Sequence, residues 1–274
     1  MAQGETPAWN AMSNGVPKDF SRRRFLEVIG ATGVAALTGI PIVERIWAAS
    51  EIEAVQRDAQ GLAHQWVMVF DLRRCDGCRD CIKGCQEQHH LPKTDEWIKV
   101  YELVDAQGLH FAMPVLCMQC ETAPCVRVCP VRATYHRDDG VIVVDQDVCI
   151  GCRMCMAACP YDVRVFNWDK AAAIDERFHA DTPEFTVPQQ QGTVSKCTMC
   201  VHLLEEGSLP SCLTSCSMEA IFVGDLVEDV MTNGRENFVL SQYLRANDAW
   251  RFRAELGTKP RVYYVSGHGQ DLDY

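Results

Sequence analysis

The chain is short of positive charge: Lys and Arg number 26 against 37 Asp and Glu, a formal net charge of −11 over 274 residues. That deficit excludes the clustered basic surface with which nucleic-acid binders displace counterions from phosphate. Long apolar runs are missing too. After residue 50 no stretch approaches the ~20 apolar residues of a membrane span. No phosphate loop or dinucleotide fingerprint is present, since the glycines of Gly30–Gly39 follow no strand. No C-x-x-C is followed by His, which excludes covalent c-type haem. With 47% hydrophobic and 23% charged residues, the composition excludes wholesale disorder.

What the chain has in excess is cysteine, 16 in all. They fall into four sets of four with none left over. The first is Cys75, Cys78, Cys81 and Cys85, and the second is Cys117, Cys120, Cys125 and Cys129. The third is Cys149, Cys152, Cys155 and Cys159. The fourth is Cys197, Cys200, Cys212 and Cys216, in which the middle gap lengthens.

The spacing has a geometric meaning. Three thiolates set two residues apart on a tight loop can point at three corners of one iron–sulfide cube, while a fourth, three residues later, points away. In bacterial ferredoxins that fourth cysteine ligates the other cluster of a pair and is followed by Pro. Cys129-Pro130 and Cys159-Pro160 keep that ending; Cys85-Gln86 and Cys216-Ser217 depart from it. Structural zinc prefers two C-x2-C pairs separated by a longer stretch, a description that fits only the fourth set. A disulfide framework of this size belongs in a much shorter secreted chain.

The first fifty residues read as an address. Polar residues 1–20 lead into Ser21-Arg22-Arg23-Arg24-Phe25-Leu26, then a weakly apolar run from Val28 to Val43, then Ala48-Ala49-Ser50. A charged start, a short apolar middle and small residues fit a secretory signal, and the arginine pair fits the twin-arginine export signal. That route carries folded proteins, so a metal cofactor can be loaded in the reducing cytoplasm. The alternative is a basic, apolar N-terminal helix packed on the body. Glu44 and Arg45 leave the cleavage site, or retention as an anchor, open.

The chain also repeats itself. Asp71 and Asp145 each stand four residues before a first cysteine, and Gly77 and Gly151 each precede a second. This repeat predicts an α+β fold made of two related halves. Trp66–Leu72, Trp97–Val104 and Val141–Asp145 read as strands, and Met156–Cys159 as a short helix ended by Pro160. Residues 175–192 read as a surface insertion, Asn237–Leu256 as a helix, and Arg261–Val265 as an extended tail. The division expected is 1–50 lead and signal, 51–226 cysteine-rich domain, 227–274 C-terminal helix and tail.

The order of the four sets, the long gap in the last, and the runs Cys149-Ile150-Gly151-Cys152 and Ala158-Cys159-Pro160-Tyr161 resemble the four-cluster iron–sulfur subunits of molybdopterin oxidoreductases. These include the beta subunits of dimethyl sulfoxide, polysulfide, tetrathionate and formate enzymes, and the iron–sulfur protein of formate-dependent nitrite reductase. The resemblance covers about Trp66 to Leu226, and Leu256–Val265 is similar to exported members. It implies a duplicated ferredoxin-like fold with two clusters in each half, and cross-ligation between sets. Cys75, Cys78 and Cys81 would share a cluster with Cys216; Cys197, Cys200 and Cys212 with Cys85. Cys117, Cys120 and Cys125 would share one with Cys159; Cys149, Cys152 and Cys155 with Cys129. Some relatives replace one cysteine with Trp and hold a three-iron cluster; with all sixteen cysteines present, four [4Fe–4S] clusters are expected.

The resemblance also implies partners: a molybdopterin catalytic subunit and a polysulfide-reductase-type integral membrane subunit that exchanges electrons with quinone. The site then carries electrons and performs no catalysis, at the periplasmic or outer face of the membrane. The alternative within the same chemistry is an exported hydrogenase- or sulfite-reductase-associated membrane complex with cytochrome c. A soluble ferredoxin, and a zinc or disulfide assembly platform, are the remaining readings.

Sixteen thiolates would deepen the net charge from −11 to about −27, and four oxidised cores at about +2 each would return it to about −19. Arg73, Arg74, Arg79, Lys83, Arg127, Arg132, Arg153, Arg164 and Lys196 lie beside the sets and together favour the reduced, more negative clusters. His89, His90, His136 and His202 are also near and read as surface or structural residues.

Overall fold

Strand β1 (Trp66–Asp71) organises the computed structural model, which describes residues 64–105, 108–170 and 176–267. The lead and export segment expected over 1–50 lies outside the described residues. WVMVFD is nearly all apolar because both faces of β1 are covered. Side chains alternate with a period of two. Met68 and Phe70 join the core that holds the cysteines, while Val67 and Val69 join a second cluster with Phe222, Leu240 and Leu244.

After β1 come α1 (Asp80–Gln88), β2 (Lys99–Val104), β3 (His110–Val115), α2 (Pro124–Arg127), β4 (Thr134–His136), β5 (Ile142–Val144), α3 (Met154–Ala157) and β6 (Val165–Phe166). There follow β7 (Ala180–Thr182), β8 (Phe185–Val187), β9 (Val194–Ser195), α4 (Val201–Glu205), α5 (Ser211–Thr214) and β10 (Ile221–Asp225). The last elements are β11 (Val230–Thr232), β12 (Asn237–Val239), α6 (Leu240–Ala246) and β13 (Val262–Val265). One sheet runs β12-β11-β10-β1-β13, and the other strands form two-stranded pairs. The architecture is mixed α and β.

Two strand pairs have the same register relative to the cysteines. β10 is antiparallel to β1 with Ile221 opposite Phe70, and β4 is antiparallel to β5 with Thr134 opposite Val144. In each, the fifth residue after a set's last cysteine faces the fifth before another set's first. The Asp71 amide donates to the Ala220 carbonyl and the Asp145 amide to that of Ala133, both at 2.8 Å.

Several elements differ from the sequence reading. The helix expected over Asn237–Leu256 is only Leu240–Ala246: Asn237–Val239 is taken by pairing with β11, and Asp248 adopts a left-handed φ of 47°. Trp250 then bridges to Tyr264 by two 2.8 Å backbone hydrogen bonds. Its ring packs on the core opposite the one that Leu240 and Leu244 join. The helix expected at Met156–Cys159 starts earlier, at Met154, because Arg153 makes the turn (φ 61°) that initiates it. The insertion is not purely a surface feature: Thr186, Val187 and Gln189 are buried. The segment after Leu226 is part of the main sheet through β11, β12 and β13, with β13 parallel to β1. Among the described residues no helix is long and apolar enough to cross a membrane.

Candidate iron–sulfur centres

Each cysteine set begins with the same backbone bend. The residue before the second cysteine has positive φ in all four: Gly77 at 77°, Gln119 at 46°, Gly151 at 66° and Met199 at 56°. Glycine meets this cheaply, and the sequence signals it only in sets one and three; in sets two and four a larger residue is held there. After the fourth cysteine a second bend recurs at Arg132, Asp162 and Glu219, each amide bonding the carbonyl of Cys129, Cys159 or Cys216. Set one lacks this bend because α1 continues past Cys85 to Gln88.

These bends and the packing of α1 on α5 decide which thiols meet. Gly84 makes that approach possible: a Cβ there would lie 2.7 Å from Ser215 Cβ and 2.9 Å from the Ser211 carbonyl oxygen. Cys75 and Cys81 consequently interact with Cys216, and Cys75, Cys78, Cys81 and Cys216 line one pocket with Phe70 and Ile221. Cys85 interacts with Cys197 and Cys200, and Cys212 with all three. Cys120 interacts with Cys117, Cys125 and Cys159. Cys155 interacts with Cys149 and Cys129, while Cys152, on the same loop, is exposed. The fourth set does not close on itself as a zinc ribbon would, because Cys216 sides with set one and Cys85 takes its place.

The groups follow one another. Cys81 interacts with Cys85 and Cys212, which joins the first group to the second, and Cys197 with Cys117, which joins the second to the third. Arg164 interacts with Cys117, Cys125 and Cys155, spanning the third and the fourth. Of the sixteen cysteines, all free thiols, only Cys78 and Cys152 are exposed, one in the first group and one in the fourth.

Burial first, and neighbouring thiols second, push these groups up. Cys75 is raised to about 11, Cys81, Cys120 and Cys197 to about 12, and Cys85 and Cys212 well above the ordinary thiol value. Thiolates gathered in such places require positive charge among them, and binding metal there releases their protons. Among the described residues no group of three or more His, Cys, Asp or Glu could hold a metal ion directly. The first group instead lines a partly open pocket, as suits an inorganic core that brings its own sulfide.

The flanking cations separate into two kinds. Arg73 and Arg74 pair with Asp71, Arg74 also with Glu236, Arg79 with Glu96, and Lys83 with Asp80. Arg153 lies over the rings of Phe166 and Trp168, 5.1 and 4.9 Å from their centroids. Arg127 and Arg132 are exposed. Arg164 and Lys196 are 4% and 1% exposed. Arg164 Nη1 donates to Thr134 Oγ1 at 3.2 Å, and its Nη2 is buried with no hydrogen-bond partner. An orphaned guanidinium nitrogen among cysteine sulfurs fits an anionic iron–sulfur group there.

His89, read from sequence as a surface or structural histidine, is buried, with Nε2 3.3 Å from Cys200 Sγ. Its amide donates to the Cys85 carbonyl at 3.0 Å, so it touches two cysteines of one group. Burial, with His202 and His90 nearby, lowers its pKa to about 3, leaving the ring neutral. No sequence signal singles it out, because its partner is 111 residues away.

This arrangement defines an iron–sulfur protein of the ferredoxin type. A 4Fe–4S dicluster domain family matches residues 109–180 and 183–226, which contain the second, third and fourth sets. The chain is 38% identical over 216 residues to a protein of Halobacterium salinarum named as a dimethyl sulfoxide reductase iron–sulfur subunit, covering 73% of this chain and 78% of the relative. It is 35% identical over 234 residues to the menaquinone reductase iron–sulfur cluster-binding subunit of Nitratidesulfovibrio vulgaris (74% and 89% covered). It is 33% identical over 259 residues to a subunit of the tetrathionate reductase of Salmonella typhimurium (93% and 91% covered). The chain belongs to the family of iron–sulfur subunits of molybdopterin oxidoreductases.

Proposed function

We propose that the chain is the electron-transfer subunit of a membrane-associated oxidoreductase, relaying single electrons between a quinone-reactive membrane subunit and a molybdopterin catalytic subunit. Cys75, Cys78, Cys81 and Cys216 hold one [4Fe–4S] cluster, and Cys85, Cys197, Cys200 and Cys212 a second. Cys117, Cys120, Cys125 and Cys159 hold a third; Cys129, Cys149, Cys152 and Cys155 hold a fourth. When bound, the clusters supply reversible one-electron exchange. The protein spaces them, shields them from water and sets their electrostatics.

The observation that carries this reading is the sequential order of the four groups, with exposed Cys78 in the first and exposed Cys152 in the last. Electrons pass to partners at those two surfaces. Val148, Ile150 and Met154, close to Cys152 in the chain, and Trp168, over which Arg153 lies, are exposed and supply apolar surface for a partner subunit to cover. The shared register of β1–β10 and β4–β5 supports a duplicated ferredoxin fold, closed so that set one pairs with set four and set two with set three.

The segment Ser21–Leu26 with the apolar run behind it exports the folded chain by the twin-arginine route, to the outer face of the cytoplasmic membrane. Iron analysis of anaerobically purified protein tests the cluster assignment: four cubes require about sixteen irons per chain, and about eight would remove two of them. Dye-linked assays of the isolated chain on small oxyanions should show no turnover, as a relay without a catalytic partner requires.

A further inference from the structure

Arg164 and Lys196 are buried over their whole length, at 4% and 1% exposure. Removing a cation from water costs several kcal/mol unless an opposite charge meets it. Among the described residues neither shows a carboxylate partner: Lys196 Nζ donates to the carbonyl oxygens of Ile142 and Cys197, and Arg164 donates to the Thr134 hydroxyl and faces the sulfurs of Cys125 and Cys155. The cations near the first group, by contrast, are tied to Asp71, Glu236, Glu96 and Asp80, which cancel much of their field.

The counter-charge of the two buried cations is therefore sulfur. Arg164 reaches Cys117 and Cys125 of the third group and Cys155 of the fourth. Lys196 precedes Cys197 of the second group and also acts on Cys125 of the third. The third group is thus the one on which both converge. A fixed buried cation stabilises the reduced state of an iron–sulfur centre more than the oxidised state, because reduction adds one negative charge, and low local dielectric strengthens the effect.

We propose that Arg164 and Lys196 set the potentials along the relay, and that their convergence makes the centre at Cys117, Cys120, Cys125 and Cys159 the first of the four to be reduced. This rests on the four-cluster reading above. The residues act through the field they impose and need not gain or lose a proton.

The test is a redox titration of the full chain, loaded with clusters and followed by low-temperature paramagnetic resonance, for wild type, R164Q and K196Q. Iron content is measured on each preparation. Both variants should lower the potential of one shared signal, the first to appear in wild type. R164Q should also lower a second signal and K196Q a third, while the remaining one stays put. The expected shift is at least a tenfold fall in the reduced-to-oxidised ratio at fixed potential, about 59 mV for one electron.

R164K, which keeps the charge, should recover most of the R164Q shift; a merely structural role would give no such recovery. If R164Q loads less iron than wild type, K196Q carries the same test on the shared signal. Full iron with unmoved potentials, or a shared signal that is not the first reduced, would overturn the proposal and leave the cluster assignment standing. Wild-type chain without iron or paramagnetic signals would remove the cluster assignment itself.

Discussion

His89 and Cys200 are far apart in the chain, yet the imidazole Nε2 is 3.3 Å from the thiol sulfur, in a pocket closed by Trp97, Phe185 and His202. A neutral ring beside a thiolate donates its Nε2 hydrogen, because the thiolate can only accept. That bond withdraws charge from the sulfur and favours the reduced state of the centre proposed at Cys85, Cys197, Cys200 and Cys212. Replacement by Leu (H89L) should lower the potential of that centre alone and cost about 1.5–3 kcal/mol, as for a bond to a charged group. Redox titration and chemical denaturation of the loaded protein check this; unchanged potentials would show that the contact only packs.

Gly84 should tolerate no side chain. In G84V the new carbons would meet Ser215 and the Ser211 carbonyl, forcing α1 away from α5 and separating Cys81 and Cys85 from Cys216 and Cys212. A cost of about 1–3 kcal/mol is expected for overpacking, with loss of up to half the iron, since both affected groups straddle that contact. Iron assay against S215G as a control should show the loss in G84V only.

Asp71 provides an acid-sensitive tie. Burial alone would raise its pKa, but hydrogen bonds from Arg73, at 2.8 and 2.7 Å, and from the Tyr243 hydroxyl, at 2.9 Å, bring it below the ordinary value. A depressed folded-state value means that its contribution is complete above the ordinary carboxylate range, near ~3.9, and is lost as pH falls through the folded value. D71N should cost about 1.5–3 kcal/mol at neutral pH and flatten the acid limb of stability against pH. Equal sensitivity of both proteins below pH ~4 would assign that limb to other groups.

Arg22 and Arg23 carry the export proposal. Replacing both with Lys preserves charge but should leave the loaded protein in the cytoplasm, as cell fractionation would show. Export of the double variant would mean that the segment is no twin-arginine signal or that a partner subunit carries the chain across.

Much of the site is legible in the amino-acid order because iron–sulfur ligation is written as short-range spacing. The four sets, the repeated Asp and the repeated Gly are all local. β1 is also clear, since a strand covered on both faces must be apolar throughout. The C-terminal helix misleads for a physical reason: Phe238, Leu240, Tyr243, Leu244 and Trp250 supply apolar residues enough for one helix, yet they serve a strand, a short helix and a bridge facing two different cores. Gln119 and Met199 are hidden for another. Their left-handed backbone is imposed by the loop around them and not by a residue that prefers it.

The amino-acid order by itself determined the number and spacing of the thiols, the acidic surplus that excludes nucleic acid, and the family. Only the tertiary structure decided that His89 reaches Cys200, that α1 packs against α5 at Gly84, and that Arg164 and Lys196 are buried. Those facts depend on which segments pack together from distant parts of the chain. Spacing along a chain cannot convey them, because proximity in space is set by the burial of apolar surface and the closing of backbone hydrogen bonds.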